Sequence, residues 1–205
     1  LRLADNPALE RALRERGEVL FAYVFDERTW MPKRMSAFRA RFILESLAAL
    51  QQKIVGRGGG IVFLRGRAEE EIPKLMERFG ADACYAQRED AHEEVSEEQA
   101  LSGKIKLILT EGKGLFEEED LPFALEDLPH TFSSFRRKVE KNLKVRPVCP
   151  EPQDLRCSWE EESELPTLRE LGFDEPARDE RAVLDFQGGE EEGWKWMNEW
   201  TWERG

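Results

Sequence analysis

Carboxylates are the most abundant chemistry-bearing groups in this chain, and their densest run is Glu89, Asp90, Glu93, Glu94, Glu97 and Glu98. Such a run could collect a cation, but at helical spacing these residues decorate one solvated face, and that is the reading adopted here. A basic cluster follows: Arg136, Arg137, Lys138, Lys141, Lys144 and Arg146. It is the one stretch that could face phosphates. It lacks interleaved aromatics to stack on bases, so a structural or partner-docking role is expected of Arg136, Arg137 and Lys141. Two histidines, His92 and His130, and three scattered cysteines, Cys84, Cys149 and Cys157, have no metal-ligand spacing and form no disulfide framework. A reduced compartment follows from that cysteine usage. The glycines of GRGGG (56–60) fit neither dinucleotide nor P-loop spacing, because they close a helix before a strand. No nucleophile, base or metal constellation is legible, so the chain alone is not expected to be an enzyme.

The tail GWKWMNEWTWERG is the least ordinary feature. On a helix Trp194, Met197 and Thr201 share one face, while Trp196 and Trp200 stand four apart on another. Burying a tryptophan gains roughly 2–3 kcal/mol. Trp194, Trp196, Trp200 and Trp202 therefore call for cover, either from the rest of the chain or from another protein subunit.

The elements that would hold these residues alternate. Asn6-Pro7 caps a helix over 8–16 that stops at Gly17, and the apolar run 19–25 ending at Asp26 reads as a buried parallel strand. Helical spacing over 36–55 is followed by a strand at 61–64, a helix at 68–79 capped by Gly80, and a strand at 83–86. A helix over 90–101 and a strand at 105–109 complete the alternation. This predicts right-handed βαβ crossovers and a doubly wound, Rossmann-like parallel sheet of about five strands. A helix at residue 6 with nothing before it implies that a first, central strand is missing. Residues 132–143 read as a further helix, 144–189 as a Pro- and Glu-rich linker with one short helical turn at 166–171, and 190–203 as a C-terminal helix. The domain reading is an α/β domain over 1–143, a linker over 144–189, and over 190–205 the start of a helical domain or a docking helix.

Net charge is −12, from 31 basic and 43 acidic residues, which opposes whole-surface attraction to DNA, RNA or anionic membrane. No window is apolar for the length a membrane span needs. The chain opens on Leu1 without methionine, as expected where the true N-terminus is absent, so the lack of a targeting segment says nothing about localisation. The expected compartment is intracellular, with organelle (chloroplast or mitochondrion) and cytoplasm not resolved.

Several stretches resemble one family. LRLADNPAL (1–9), YVFD (23–26), MSAFRARFILESLAAL (35–50), GADACYAQREDAHEE (80–94), DLPFALEDLPHTFSSFRRKVE (120–140), LPTLRELGF (165–173) and FQGGE (186–190) are colinear with photolyases and cryptochromes, in detail with their DASH-type branch. The resemblance implies an N-terminal α/β domain. FAD, the electron-transfer tryptophans and the DNA-binding surface would lie in a helical domain beyond Gly205, and this chain alone would not repair DNA. It also implies a methenyltetrahydrofolate antenna, with Glu89, in QRED, matching the carboxylate that faces the pterin and Asp90 beside it. Gln87 departs from the histidine common in the branch. Two functions follow: a non-catalytic structural or protein-binding subunit of a larger assembly, or the folate-binding part of a DASH-type photoreceptor or DNA-repair enzyme.

Overall fold

The computed structural model describes residues 2–158, 163–177 and 186–203. Helix α1 (Pro7–Arg16) begins where Asn6 Oδ1 accepts from Leu9 N at 3.1 Å and ends at Gly17, whose φ of 76° suits a residue without Cβ. Strand β1 (Leu20–Phe25) leads through a turn to α2 (Ala37–Val55), N-capped by Ser36. Then come β2 (Gly60–Arg65), α3 (Ala68–Phe79), β3 (Cys84–Gln87), α4 (His92–Ser102) and β4 (Leu107–Thr110). Helices α5 (Phe132–Asn142) and α6 (Glu190–Asn198) follow the alternating part.

The fold is α/β, with parallel pairing throughout its strands. Among the described residues there are four strands in two pairs, β1 with β2 from Leu20↔Gly60 to Phe25↔Arg65, and β3 with β4 from Cys84↔Leu107 to Gln87↔Thr110. Among the described residues β1 and β3 do not pair with one another, so these pairings account for four parallel strands of the sheet of about five expected from the sequence.

Two apolar clusters hold the β1–β2 half. Phe25, Trp30, Met35, Ala40, Leu44 and Leu47 pack with Leu168 and Phe173. Leu3, Leu9, Leu50, Ile54 and Ile61 pack with Leu155, which is wholly buried. Residues 149–158 and 163–173 thus bring Leu155, Leu168 and Phe173 into these clusters and strap the outer side of β2. Leu155 N donates to Arg57 O at 2.8 Å, and Phe63 N donates to Ser163 Oγ at 2.9 Å. The turn within this stretch is a single 3-10 turn, Arg169–Leu171, closed by Gly172 at φ 83°.

Proline inside α3 has a local remedy. Pro73 cannot donate to the carbonyl of Glu69, four residues back, and the Lys104 ammonium donates to that oxygen instead at 2.8 Å. The same bond ties α3 to the turn after α4. At the C-terminal end, the helix expected over 190–203 is α-helical only to Asn198. Glu199–Glu203 form a π turn, which moves Trp200 and Trp202 off the faces that 3.6-residue spacing assigns them.

Candidate functional site

Parallel strands deliver their following loops to one edge, and ligand sites in such folds gather there. Asp26 stands at that edge after β1 and is buried, at 6% exposure. The Arg28 backbone N–H donates to Asp26 Oδ1 at 2.7 Å, and its guanidinium spans Asp26, Glu69 (3.1 Å) and Glu97 (3.2 Å). Burial pushes the Asp26 carboxyl up, but the Arg28 hydrogen bonds outweigh it and hold the group below its ordinary value. Burial raises Glu97. One cation thus serves three carboxylates contributed by β1, α3 and α4. The sequence reading passed over this cluster; its signal was an aspartate closing an apolar strand run.

Glu89 and Asp90 stand at the same edge after β3. The Lys113 ammonium pairs closely with the Glu89 carboxylate and lies 3.7 Å from Asp90. The Glu89 backbone N–H donates to Glu98 Oε1 at 2.7 Å, so one member of the acidic run braces the loop instead of facing solvent. Beside them opens a cleft of about 920 Å³ whose walls include Asp90, Glu111, Lys113, Phe116 and Phe123. Carboxylates and two aromatic rings are suited to a flat ligand bearing N–H donors. The Glu89 carboxylate is already engaged, so such a ligand would have to displace an ammonium.

The basic cluster is largely paired within the chain. Arg136 pairs with Glu140 at 2.6 Å, Arg137 donates to Ser133 O at 3.2 Å, and the Lys138 ammonium sits 5.1 Å from the centre of the Phe123 ring. Arg146 binds Glu117, Glu119 and Asp120 at 2.8, 2.6 and 2.7 Å, pinning the turn at Glu118–Asp120. Lys141 stands exposed in the last turn of α5.

The tryptophan tail is anchored at its root. Gly188 N donates to Glu45 Oε2 at 2.7 Å, and Lys53 pairs with Glu190 at 3.3 Å, which seats the start of α6 against α2. Trp196 lies half-buried 5.2 Å from the Phe186 ring. Trp194, Trp200 and Trp202 are 56%, 69% and 79% exposed, with Phe186, Met197 and, on α2, Phe38 and Phe42 also exposed. The structure therefore brings the tail to α2 but leaves three of its four rings uncovered.

The family model for DNA photolyase matches residues 1–153. The chain belongs to the DNA photolyase family. It is 34% identical to cryptochrome DASH of Gloeobacter violaceus, over all of this chain and 43% of that protein. It is 33% identical to the blue-light photoreceptor PHR2 of Arabidopsis thaliana, over 94% of this chain and 46% of that one. A chloroplastic/mitochondrial cryptochrome DASH of Arabidopsis thaliana is 31% identical. The crystal structure of the Synechocystis cryptochrome superposes with a TM-score of 0.87 at 28% identity, covering 99% of this chain and 44% of that one. The chain thus spans less than half the length of the relatives it matches, and the DASH-type photolyase/cryptochrome resemblance of the sequence is correct. No helix among the described residues is long and apolar enough to cross a membrane.

Proposed function

We propose that this photolyase-type α/β domain acts as a structural, protein-binding component of a larger assembly and carries out no photochemistry by itself. The observation that carries this reading is the exposure of Trp194, Met197, Trp200 and Trp202 on a tail whose start is rooted on α2, a set of apolar side chains left to solvent. Such sets on folded domains mark protein contacts. The partner is a protein subunit that covers them. DNA is disfavoured as a partner for the chain alone by its net charge of −12. In this reading the two strand pairs belong to one doubly wound sheet of about five strands. The expected compartment is intracellular, in an organelle or the cytoplasm.

The deciding experiment is an intact mass with an absorption spectrum on the same native sample. A 23.8 kDa species without colour supports the reading. A much larger mass with flavin bands near about 370 and 450 nm overturns it in favour of a light-driven flavoprotein.

A second reading, a methenyltetrahydrofolate antenna held by Glu89 and Asp90, draws on the aromatic-walled cleft at the sheet edge. Titrating that folate into the chain and into a Glu89→Gln variant tests it. Saturable binding lost in the variant supports it, and no binding removes it.

A further inference from the structure

Two exposed surfaces of this chain carry opposite charge, and each has aromatic rings within it. The first is the tail. Residues 190–203 hold five carboxylates and one ammonium, interleaved with the exposed Trp194, Trp200 and Trp202. Glu191 and Glu203 are exposed, and the single ammonium, Lys195, is engaged by Glu192 at 3.5 Å.

The second surface runs from Leu125 through α5. Residues 132–146 hold six cations and one carboxylate, Glu140, which is already paired with Arg136. Leu125, Leu128 and Phe132 stand exposed ahead of these cations, Phe132 at 75%. The Phe132 ring is stacked on Phe135 with centres 6.3 Å apart, and Phe135 meets Phe123 at 5.9 Å, so the outer ring is backed by two inner ones.

The cations are not equivalent. Arg136 and Arg146 are neutralised within the chain, and Lys138 lies over the Phe123 ring. Arg137 and Lys141, four residues apart, share a stripe of α5, and Lys144 follows just beyond its end. All three are exposed, and no carboxylate among the described residues pairs with them.

An apolar patch rimmed by one sign of charge complements a patch rimmed by the other. The tail is rooted on α2, which packs on β2, whereas α5 is attached through Phe123 to the cleft beside Leu109 of β4. The two surfaces thus belong to different strand pairs, and a contact between them on two copies is heterologous. The three exposed rings present on the order of 500 Å². That is more than half of the roughly 800 Å² that one side of a stable interface buries.

Building on the tail as a protein contact, we infer that it docks on the basic α5 surface of a second copy of this chain, so that copies join head to tail. Trp194, Trp200 and Trp202 cover Leu125, Leu128 and Phe132, while Glu191 and Glu203 meet Arg137, Lys141 and Lys144 at the rim.

The test is sedimentation velocity on the 205-residue chain at rising concentration. The average mass is expected to climb past that of a dimer, because each dimer keeps one unused tail and one unused α5. Raising salt from about 0.05 M to about 0.5 M weakens the association at least about tenfold. Two variants at exposed positions, both with unchanged circular dichroism, decide the geometry: Lys141→Glu with Lys144→Glu on α5, and Trp200→Ala with Trp202→Ala on the tail. Each alone stays monomeric. Mixed in equal amounts they form a dimer and nothing larger, since each supplies the surface that the other lacks. A mixture that stays monomeric overturns the head-to-tail contact. A chain monomeric at every concentration overturns self-association and leaves the tail as a contact for a different subunit. Association lost in the tryptophan variant but kept in the lysine variant joins tail to tail and overturns the α5 site. Association kept in both overturns the tail as a contact, and with it the reading on which the docking is built.

Discussion

Arg28 Nε stands 3.0 Å from each oxygen of Asp26, a side-on fork between residues only two apart. Because the aspartate is buried and the arginine also reaches α3 and α4, this pair is the junction of three elements at the functional edge of the fold.

Removing the carboxylate should therefore cost more than a surface ion pair. Asp26→Ala is expected to destabilise by about 2–3 kcal/mol, toward the low end for broken buried pairs because Arg28 is partly exposed. The sign in pH follows from the lowered carboxyl. Its stabilisation is complete above the ordinary aspartate value of 3.8 and is lost as pH falls through the lower folded value. Urea unfolding from pH 7 down to the acid limit checks this, since Asp26→Asn should flatten the acid limb.

Cys149 should react slowly with thiol reagents. Burial and the hydrogen bond from its thiol to Glu10, at 3.2 Å, push it up to about 11, so little thiolate exists at pH 8. Glu10→Gln removes the neighbouring negative charge. Labelling followed by peptide mass mapping should then find Cys149 modified several-fold faster, by about the factor that a fraction of a pH unit gives.

Leu155 tests the strap. Leu155→Ala leaves a cavity against Ile54, Ile61 and Leu3, and a loss of about 2–4 kcal/mol is expected from thermal or urea unfolding. Gly59→Ala strikes the same contact from the other side, since its Cβ would lie 2.8 Å from the Ile54 side chain and 2.9 Å from that of Leu155. It should cost about 1–3 kcal/mol by overpacking.

Gly188 tests how the tail is seated. A Cβ there would stand 2.2 Å from Phe42 O and 2.7 Å from Ser46 N, both backbone atoms that cannot step aside. Gly188→Ala should lift α6 off α2, shift tryptophan emission to the red and leave the circular dichroism of the strand pairs unchanged.

The alternating part of the fold was legible because its signals are local. Asn6 and Ser36 cap helices and Gly17 and Gly80 end them, each by a bond or dihedral that one residue type favours. The strap was hidden because Leu155, Leu168 and Phe173 sit singly among prolines and acids, with no period to reveal the face they share. The π turn at Glu199–Glu203 likewise has no pattern in side-chain type. At the sheet edge, Glu89 and Asp90 were placed by resemblance to relatives. Their engagement by Lys113 depends on how the β4 loop returns, which spacing does not encode. Arg28 was passed over because an arginine two residues past a strand looks like any turn residue until three carboxylates from distant segments converge on it.

The strap also sets a clock on synthesis. Phe63 N waits for Ser163, a hundred residues later in the chain, and Leu168 and Phe173 follow later still. Until those residues leave the ribosome, the nascent domain presents the outer backbone of β2 and an unsealed core, an edge on which another chain can add a strand. Ribosome pauses or truncations before Ser163 should therefore yield aggregates, whereas interruptions after Phe173 should release a body already closed on that side.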